Sequence, residues 1–224
     1  MTENTDKGFI CETLTFWDKL TEQEQSLILN NVTSASYKRG GNIHSYDNDC
    51  VGVLLIKSGE LRAYILSEDG REITLYRLEK GEICILSASC VLKNITFDVH
   101  IDAEQDSEVL IINSGIFELV CNQNIYAENF SNKITVQRFS EVMYVMQQIL
   151  FSSFDKRLAV FLIDEISKSG SDNISLTHEQ IANYVGSARE VVSRMLKYFE
   201  NMGLVALSRG KVTIIDKKRL RDFT

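Results

Sequence analysis

Residues 174–215 read ISLTHEQIANYVGSAREVVSRMLKYFENMGLVALSRGKVTII. Thr177 can cap a helix whose third residue is Gln180, which completes a capping box, and Ile181, Ala182 and Val185 give that helix an apolar face. Gly186 supplies a turn into a second helix. Its buried side is Val191, Val192, Met195, Leu196 and Phe199, and Gly203 can end it in the left-handed conformation. Leu204–Leu207 and Val212–Ile215, joined by Ser208-Arg209-Gly210-Lys211, form a small hairpin with a basic tip. Two helices at a tight turn followed by such a hairpin make a winged helix-turn-helix.

Upstream, the segment from Ile125 to Leu150 contains no glycine. Val136, Phe139, Met143, Met146 and Leu150 step by 3, 4, 3 and 4, an a/d heptad seam along one face of a long helix. Two readings stay open: a helix lying on its own domain's core, or a two-fold contact between two copies. The heptad spacing, and its position just ahead of the basic region, favour the second. Further upstream, from Tyr37 to Val120, short stretches rich in Val, Ile, Leu and Tyr alternate with turns. The turn signals are Gly40-Gly41, Asp47-Asn48-Asp49, Lys57-Ser58-Gly59, Glu68-Asp69-Gly70, Lys80-Gly81 and Asn113-Ser114-Gly115. Short strands at a spacing of about 8 to 12 residues indicate a β-sandwich or barrel. Asp69-Gly70, between Leu61–Ile65 and Glu72–Tyr76, is the strongest hairpin signal. Residues 14–31 place Leu14, Trp17, Leu20, Leu27 and Ile28 at mostly helical spacings, with a Thr21/Glu24 capping box, and predict a helical lead-in.

Composition sets the outer limits. The 224 residues are 44% apolar and 25% charged, which excludes disorder, collagen and coiled-coil fibre. Average usage would give about 11 prolines, yet there are none, so proline marks no linker. No apolar run approaches the roughly 18 residues of a membrane span, and MTENTDKGF lacks a signal peptide's apolar core, so a cytoplasmic protein without a membrane partner is expected. Five cysteines (Cys11, Cys50, Cys84, Cys90, Cys121) form no disulfide framework in such a chain, and reduced thiols are expected. The net charge of −7 hides an asymmetry: residues 155–224 carry 12 basic and 9 acidic side chains, whereas residues 1–154 carry 12 and 22. The positive excess belongs to the C-terminal part.

The run THEQIANYVGSAREVVSRMLKYFENMGLV is similar to the DNA-binding signature of the Crp/Fnr family of bacterial transcription regulators. IKSGELRAYILSEDGREITLYRLEKGEI resembles that family's sensor β-roll, with Gly59, Gly70 and Gly81 at its turns. The resemblance spans nearly the whole chain in the family's order. It implies an α+β fold: a cyclic-nucleotide-binding-like β-roll (jelly roll) over residues 1–124, a dimerisation helix over 125–151 and a winged helix-turn-helix over 152–224. It also implies a homodimer on duplex DNA, with RNA polymerase as a partner and no enzymatic activity. No catalytic constellation is visible, and no metal site is expected.

A recognition helix presents its first two turns to the major groove, where arginine pairs with guanine and glutamate accepts from the cytosine amino group. Arg189, Glu190 and Arg194 share the face opposite Val191, Val192 and Met195. The resemblance assigns base contact to these positions and adds Ser193, since Glu190 to Arg194 matches the Fnr-like pattern while Arg189 matches the Crp-like one. A palindrome of TGA-containing half-sites is the expected operator. Ser187 and Glu190 also fit a capping box that would occupy the carboxylate on the backbone. Thr177, His178, Arg209 and Lys211 are candidates for phosphate contact.

The sensor is less legible. Family members that bind a cyclic nucleotide use a glycine-glutamate start, a second glutamate for the ribose and an arginine-serine pair for the phosphate. Gly81-Glu82 supplies the start, but Leu86 stands at the ribose position and Phe97-Asp98 at the phosphate pair, so cyclic AMP is not expected. Only Cys11 lies near the N-terminus, against the cysteine cluster of an iron-sulfur sensor. Haem stays open with His44, His100 or Cys84 as axial candidates. In CILSASC, Cys84 and Cys90 flank small residues at the family's pocket position. Gly81, Glu82, Cys84, Leu86, Ser87, Ser89 and Cys90 are therefore the effector-pocket candidates. The two thiols are either small buried hydrophobes or a redox switch. A protein-binding β-roll module that does not bind DNA is the rival from another class.

Overall fold

The computed structural model describes residues 4–45, 51–88 and 99–224. The chain divides into two compact units, Met1–Leu66 with Leu75–Val142, and Ser67–Thr74 with Met143–Thr224.

The first unit opens with α1 (Asn4–Thr13), a helix the sequence reading did not anticipate, then a single 3₁₀ turn at Trp17–Lys19, then α2 (Glu22–Asn30). The lead-in is thus two helices with a break. Thr21 Oγ1 accepts from the Glu24 amide while the Glu24 carboxylate accepts from the Thr21 amide, so the capping box starts α2 where the sequence puts it. Among the described residues eight strands follow: β1 (Val32–Tyr37), β2 (Asn42–His44), β3 (Val53–Ser58), β4 (Glu60–Leu66), β5 (Glu72–Glu79), β6 (Ile83–Cys84), β7 (His100–Ala103) and β8 (Ser107–Ile112). They form two four-stranded sheets, ordered β1-β8-β3-β6 and β2-β7-β4-β5. In β3, Val53 and Leu55 pack with Ile10, Leu14, Trp17, Ile28 and Phe117 from the helices. Leu54 and Ile56 point the other way, to Leu61, Ala63, Ile101 and Ala103 of the second sheet. A strand buried on both faces reads as an unbroken apolar run. That accounts for the non-alternating Val53–Ile56.

Gly59 makes the one-residue corner between β3 and β4 at φ +84°. A Cβ there would lie 2.2 Å from Ser107 Oγ and 2.6 Å from Asp106 O, so no other residue fits. The tip between β4 and β5 closes through Ser67 N to Arg71 O at 2.8 Å and Gly70 N to Ser67 O at 2.9 Å. The Asn113-Ser114-Gly115 signal, read as a turn between strands, is instead a helix start: Asn113 Oδ1 accepts from Ile116 N and caps α3 (Ser114–Gln123). Then α4 (Ile125–Phe151) runs without interruption. Its core-facing residues are Ala127, Phe130 and Ile134, while Val136, Phe139, Met143, Met146 and Leu150 are 45–67% exposed. The seam does not lie on the chain's own core.

The second unit contains α5 (Phe154–Ser169), β9 (Asn173–Ile174), α6 (His178–Val185), α7 (Arg189–Asn201), β10 (Val205–Ser208), β11 (Lys211–Ile214) and α8 (Lys217–Arg221). Its core joins Leu158, Leu162, Ile181, Val185, Val192, Leu196, Phe199 and Val212. The hairpin tip belongs to this unit: Thr74 Oγ1 donates to Asn183 O at 3.2 Å, and Asn183 Nδ2 to Glu72 Oε2 at 3.0 Å. No described helix is long and apolar enough to cross a membrane.

Candidate nucleic-acid interface and sensor segment

Two kinds of helix start build the interface. In α6, Thr177 Oγ1 accepts from Gln180 N at 3.2 Å and Gln180 Oε1 accepts from Thr177 N at 2.9 Å, the reciprocal box that fixes where the helix begins. Gly186, at φ +62°, ends α6 in the left-handed conformation, and Ser187 N donates back to Ala182 O at 3.0 Å. The chain therefore turns within two residues. The cap of α7 is Ala188, which offers no side-chain acceptor, so the Ser187/Glu190 box does not form. The Glu190 side chain makes no hydrogen bond or ion pair with any described residue.

Burial of Val192, Leu196 and Phe199 sets the rotation of α7 about its axis. Arg189, Glu190 and Arg194 are consequently exposed, and no described side chain bonds to them. Ser193 is half-buried on the edge of this ridge. Its Oγ lies 2.8 Å from His178 Nδ1, so the first residue of α6 is clipped to the middle of α7. Burial, then the neighbouring Arg189 charge, holds the His178 imidazole below its ordinary pKa.

The antiparallel β10 and β11 pair Ser208 with Lys211 and carry Arg209-Gly210 at the tip. Thr177, His178, Glu179, Arg189, Ser208, Arg209 and Gly210 line an open groove of about 460 Å³. The fold thus brings Thr177, His178, Arg189 and Arg209 together, from three places in the sequence. Glu190, Ser193 and Arg194 continue along α7, and Lys211 stands half-buried at the start of β11, outside the groove. Glu179 and Ser208 were not singled out by the sequence. Only the groove identifies them, because neither residue type nor spacing marks them. Residues 155–216 carry eight basic and eight acidic side chains; the C-terminal excess resides wholly in 217–224, where α8 displays Lys217, Lys218, Arg219 and Arg221. Lys217 is ion-paired with Asp172.

In the roll, Gly81 is exposed in the turn and Glu82 is half-buried, its Oε2 accepting from Glu79 N at 2.7 Å. Cys84 is buried, and burial raises its thiol pKa. Leu86 is buried, and Ser87 Oγ lies 2.6 Å from Gly52 O and 3.1 Å from Cys84 O. Ser89, Cys90, Cys50, Phe97 and Asp98 lie outside the described residues. Burial also raises Cys11, and raises Cys121 to about 12, so none of the three described thiols has thiolate character. His44 is buried on β2, where burial and then His100 lower its pKa, and the His100 ring stacks on Tyr64 at 5.2 Å. Among the described residues, no group of three or more His, Cys, Asp or Glu is arranged to hold a metal ion.

One residue here escaped the sequence reading. Arg138 follows Ala127, Phe130 and Ile134 on the core-facing side of α4, and its side chain is only 8% exposed. Its Nη2 donates to Glu82 Oε1 at 3.1 Å, its Nη1 to Glu141 Oε2 at 2.7 Å, and the guanidinium sits 4.8 Å from the Tyr76 ring centroid. An arginine in an apolar helical stripe was the available signal.

Folded His44 and His178 take up a proton less readily than the unfolded chain does. Above the ordinary histidine pKa of about 6.5 both are neutral in either state and cost nothing. As pH falls through that value the unfolded chain protonates first, and stability declines. Urea unfolding midpoints should therefore drop between about pH 7 and 5, and the His44→Gln/His178→Gln double variant should drop less. An equal drop in both proteins would contradict this.

The Crp-like helix-turn-helix domain matches residues 156–223 and the cyclic nucleotide-binding domain matches residues 35–124. A crystal structure described as a Crp/Fnr-family transcriptional regulator from Eubacterium rectale shares 47% identity over 93% of this chain and 96% of its own, with a TM-score of 0.90. The Anaerobic regulatory protein of Haemophilus influenzae is 25% identical over 92% of this chain and 78% of its own length. The Cyclic AMP receptor protein of Thermus thermophilus is 23% identical over 91% and 94% respectively.

Proposed function

From the premise that the chain belongs to the Crp/Fnr family of transcription regulators, we propose that two copies join through α4 and read a palindromic operator under control of the β-roll. Each α7 enters one major groove, and the half-site centres stand one helical turn apart, about 34–36 Å. The observation that carries this reading is the exposed ridge of Arg189, Glu190 and Arg194, at a helix start where no described side chain occupies them. Ser193 joins the ridge through its bond to His178. Thr177, His178 and Arg209 face the groove, where a phosphate oxygen can be held, and Lys211 follows on the wing.

By family, the regulated partner is RNA polymerase, and the working compartment is the cytoplasm, with the DNA. The family is one of regulators, not enzymes. The raised thiols of Cys11, Cys84 and Cys121 give a redox switch at those three positions no support, Cys50 and Cys90 lying outside the described residues, and the ridge and groove count against a roll that binds only protein.

Selection from randomised duplexes tests the whole reading: the recovered sites should be palindromes with TGA in each half. Glu190→Gln tests the finest part of it. Glutamine keeps the size and loses the charged acceptor for cytosine, so discrimination at that base pair should weaken by about 1 kcal/mol per half-site, while the unfolding midpoint stays put. Undiminished discrimination in the variant would remove Glu190 from the readout.

A further inference from the structure

A buried guanidinium is costly unless its charge is matched and its donors are used. Arg138 matches its charge with two carboxylates and an aromatic face, drawn from both sides of one junction, and bonds through both terminal nitrogens. Glu141 lies one turn along α4 and orients the guanidinium. Glu82 and Tyr76 come from the roll, 56 and 62 residues earlier in the chain, and Glu82 is itself fixed by the Glu79 amide at 2.7 Å. Burial alone would lower the arginine's pKa, but the bonds to Glu141 and Glu82 more than offset it and hold it above its ordinary value. The charge is therefore permanent.

The place is as telling as the pairing. Glu82 opens the segment in which the resemblance puts a nucleotide. Leu86, where a ribose-binding glutamate would stand, is instead part of the apolar core, and Ser87 is committed to main-chain carbonyls. The described polar side chains at the start of the segment, Glu82 and Ser87, are thus bonded to the chain itself.

We propose that Arg138 is a built-in substitute for a diffusible effector: bridged to Glu82 and stacked on Tyr76, it holds α4 on the roll, so that the DNA-binding state needs no nucleotide. The inference rests on the operator reading above. Arg138 is here a positioning residue, since it touches no DNA. The competing arrangement is a small acceptor bound at Arg138 Nε, which is buried without a hydrogen-bond partner among the described residues.

The test starts from full-length protein unfolded in guanidinium, dialysed free of small molecules and refolded. Its affinity for a selected operator duplex is read by fluorescence anisotropy, with and without cyclic AMP. Refolded and as-purified protein should bind alike, and cyclic AMP should change the affinity less than about twofold. Arg138→Gln should bind the operator about tenfold more weakly, within the usual span of allosteric coupling. Well below its melting temperature it should still sediment like wild type and bind random duplex as before, which simple destabilisation would not produce. The swapped pair Arg138→Glu with Glu82→Arg should recover operator affinity. If Arg138→Gln does not fold, Glu82→Gln, at a partly exposed position, carries the same expectation.

Unchanged operator binding by the folded variant overturns the proposal. So does refolded wild type that needs cyclic AMP, or that has lost the operator preference of the as-purified protein. If neither wild-type preparation prefers any duplex, the operator reading falls and takes this inference with it.

Discussion

Replacing Phe139 and Leu150 together by glutamate should give a folded monomer whose operator affinity is lower by about two orders of magnitude. Both side chains are 65% exposed in the single chain, so the substitutions remove nothing from its own core. In a two-fold contact each glutamate lies close to its symmetry mate, adding like-charge repulsion to the missing apolar burial. A monomer reads one half-site. Specific binding exceeds non-specific binding by about 4–10 kcal/mol, and forfeiting half of that weakens binding roughly 30- to several-thousand-fold. Sedimentation and anisotropy on the same samples would decide it. A variant that still sediments as a dimer, or a monomer with wild-type operator affinity, would refute the role given to α4.

Arg194→Ala should be nearly as damaging to operator binding and harmless to the fold. The side chain is exposed and unbonded to any described residue, and alanine is the best helix former, so the melting temperature should not fall. A bidentate arginine–guanine pair discriminates by about 1–3 kcal/mol, and a dimer forgoes two such pairs. Operator affinity should drop about 30-fold or more, while affinity for random duplex changes little. Arg209→Ala, at the wing tip, should behave differently, weakening all duplexes alike and lowering the salt slope by about one unit for each phosphate that is no longer neutralised. If Arg194→Ala weakened random and selected duplexes equally, Arg194 would be a phosphate ligand.

What could be read in the chain beforehand follows from how local its causes are. The α6 start depends on Thr177 and Gln180, three residues apart, and the α6–α7 turn on Gly186 alone. The β4–β5 tip depends on Ser67 to Arg71. Such signals are complete within one window. In contrast, α1 is held by Ile10, with Phe9 and Cys11 beside it, packing with Val53 and Leu55 of β3, about 40 residues away, and has no side-chain pattern strong enough to announce it. For α3, Asn113-Ser114-Gly115 carries the residue types of a turn as much as those of a cap; what makes it a helix is the burial of Phe117 and Val120. The ridge on α7 was legible because helical spacing alone separates Arg189, Glu190 and Arg194 from Val192 and Leu196. The His178–Ser193 clip and the Arg138–Glu82 pair were not, because each joins residues with no pattern between them.

The charge distribution of the C-terminal part bears on how such a protein finds its site. With residues 155–216 electrically balanced, the basic excess confined to 217–224 and the whole chain at −7, the long-range pull towards a phosphate backbone is small. Non-specific association, which draws on that pull, is correspondingly weak. The genome then acts as a shallow sink, and few molecules are titrated onto irrelevant sequence. On the proposed operator reading, the arginines of the ridge then supply the discrimination over a low background. A modest number of copies per cell can therefore keep an operator occupied, at the cost of a slower search.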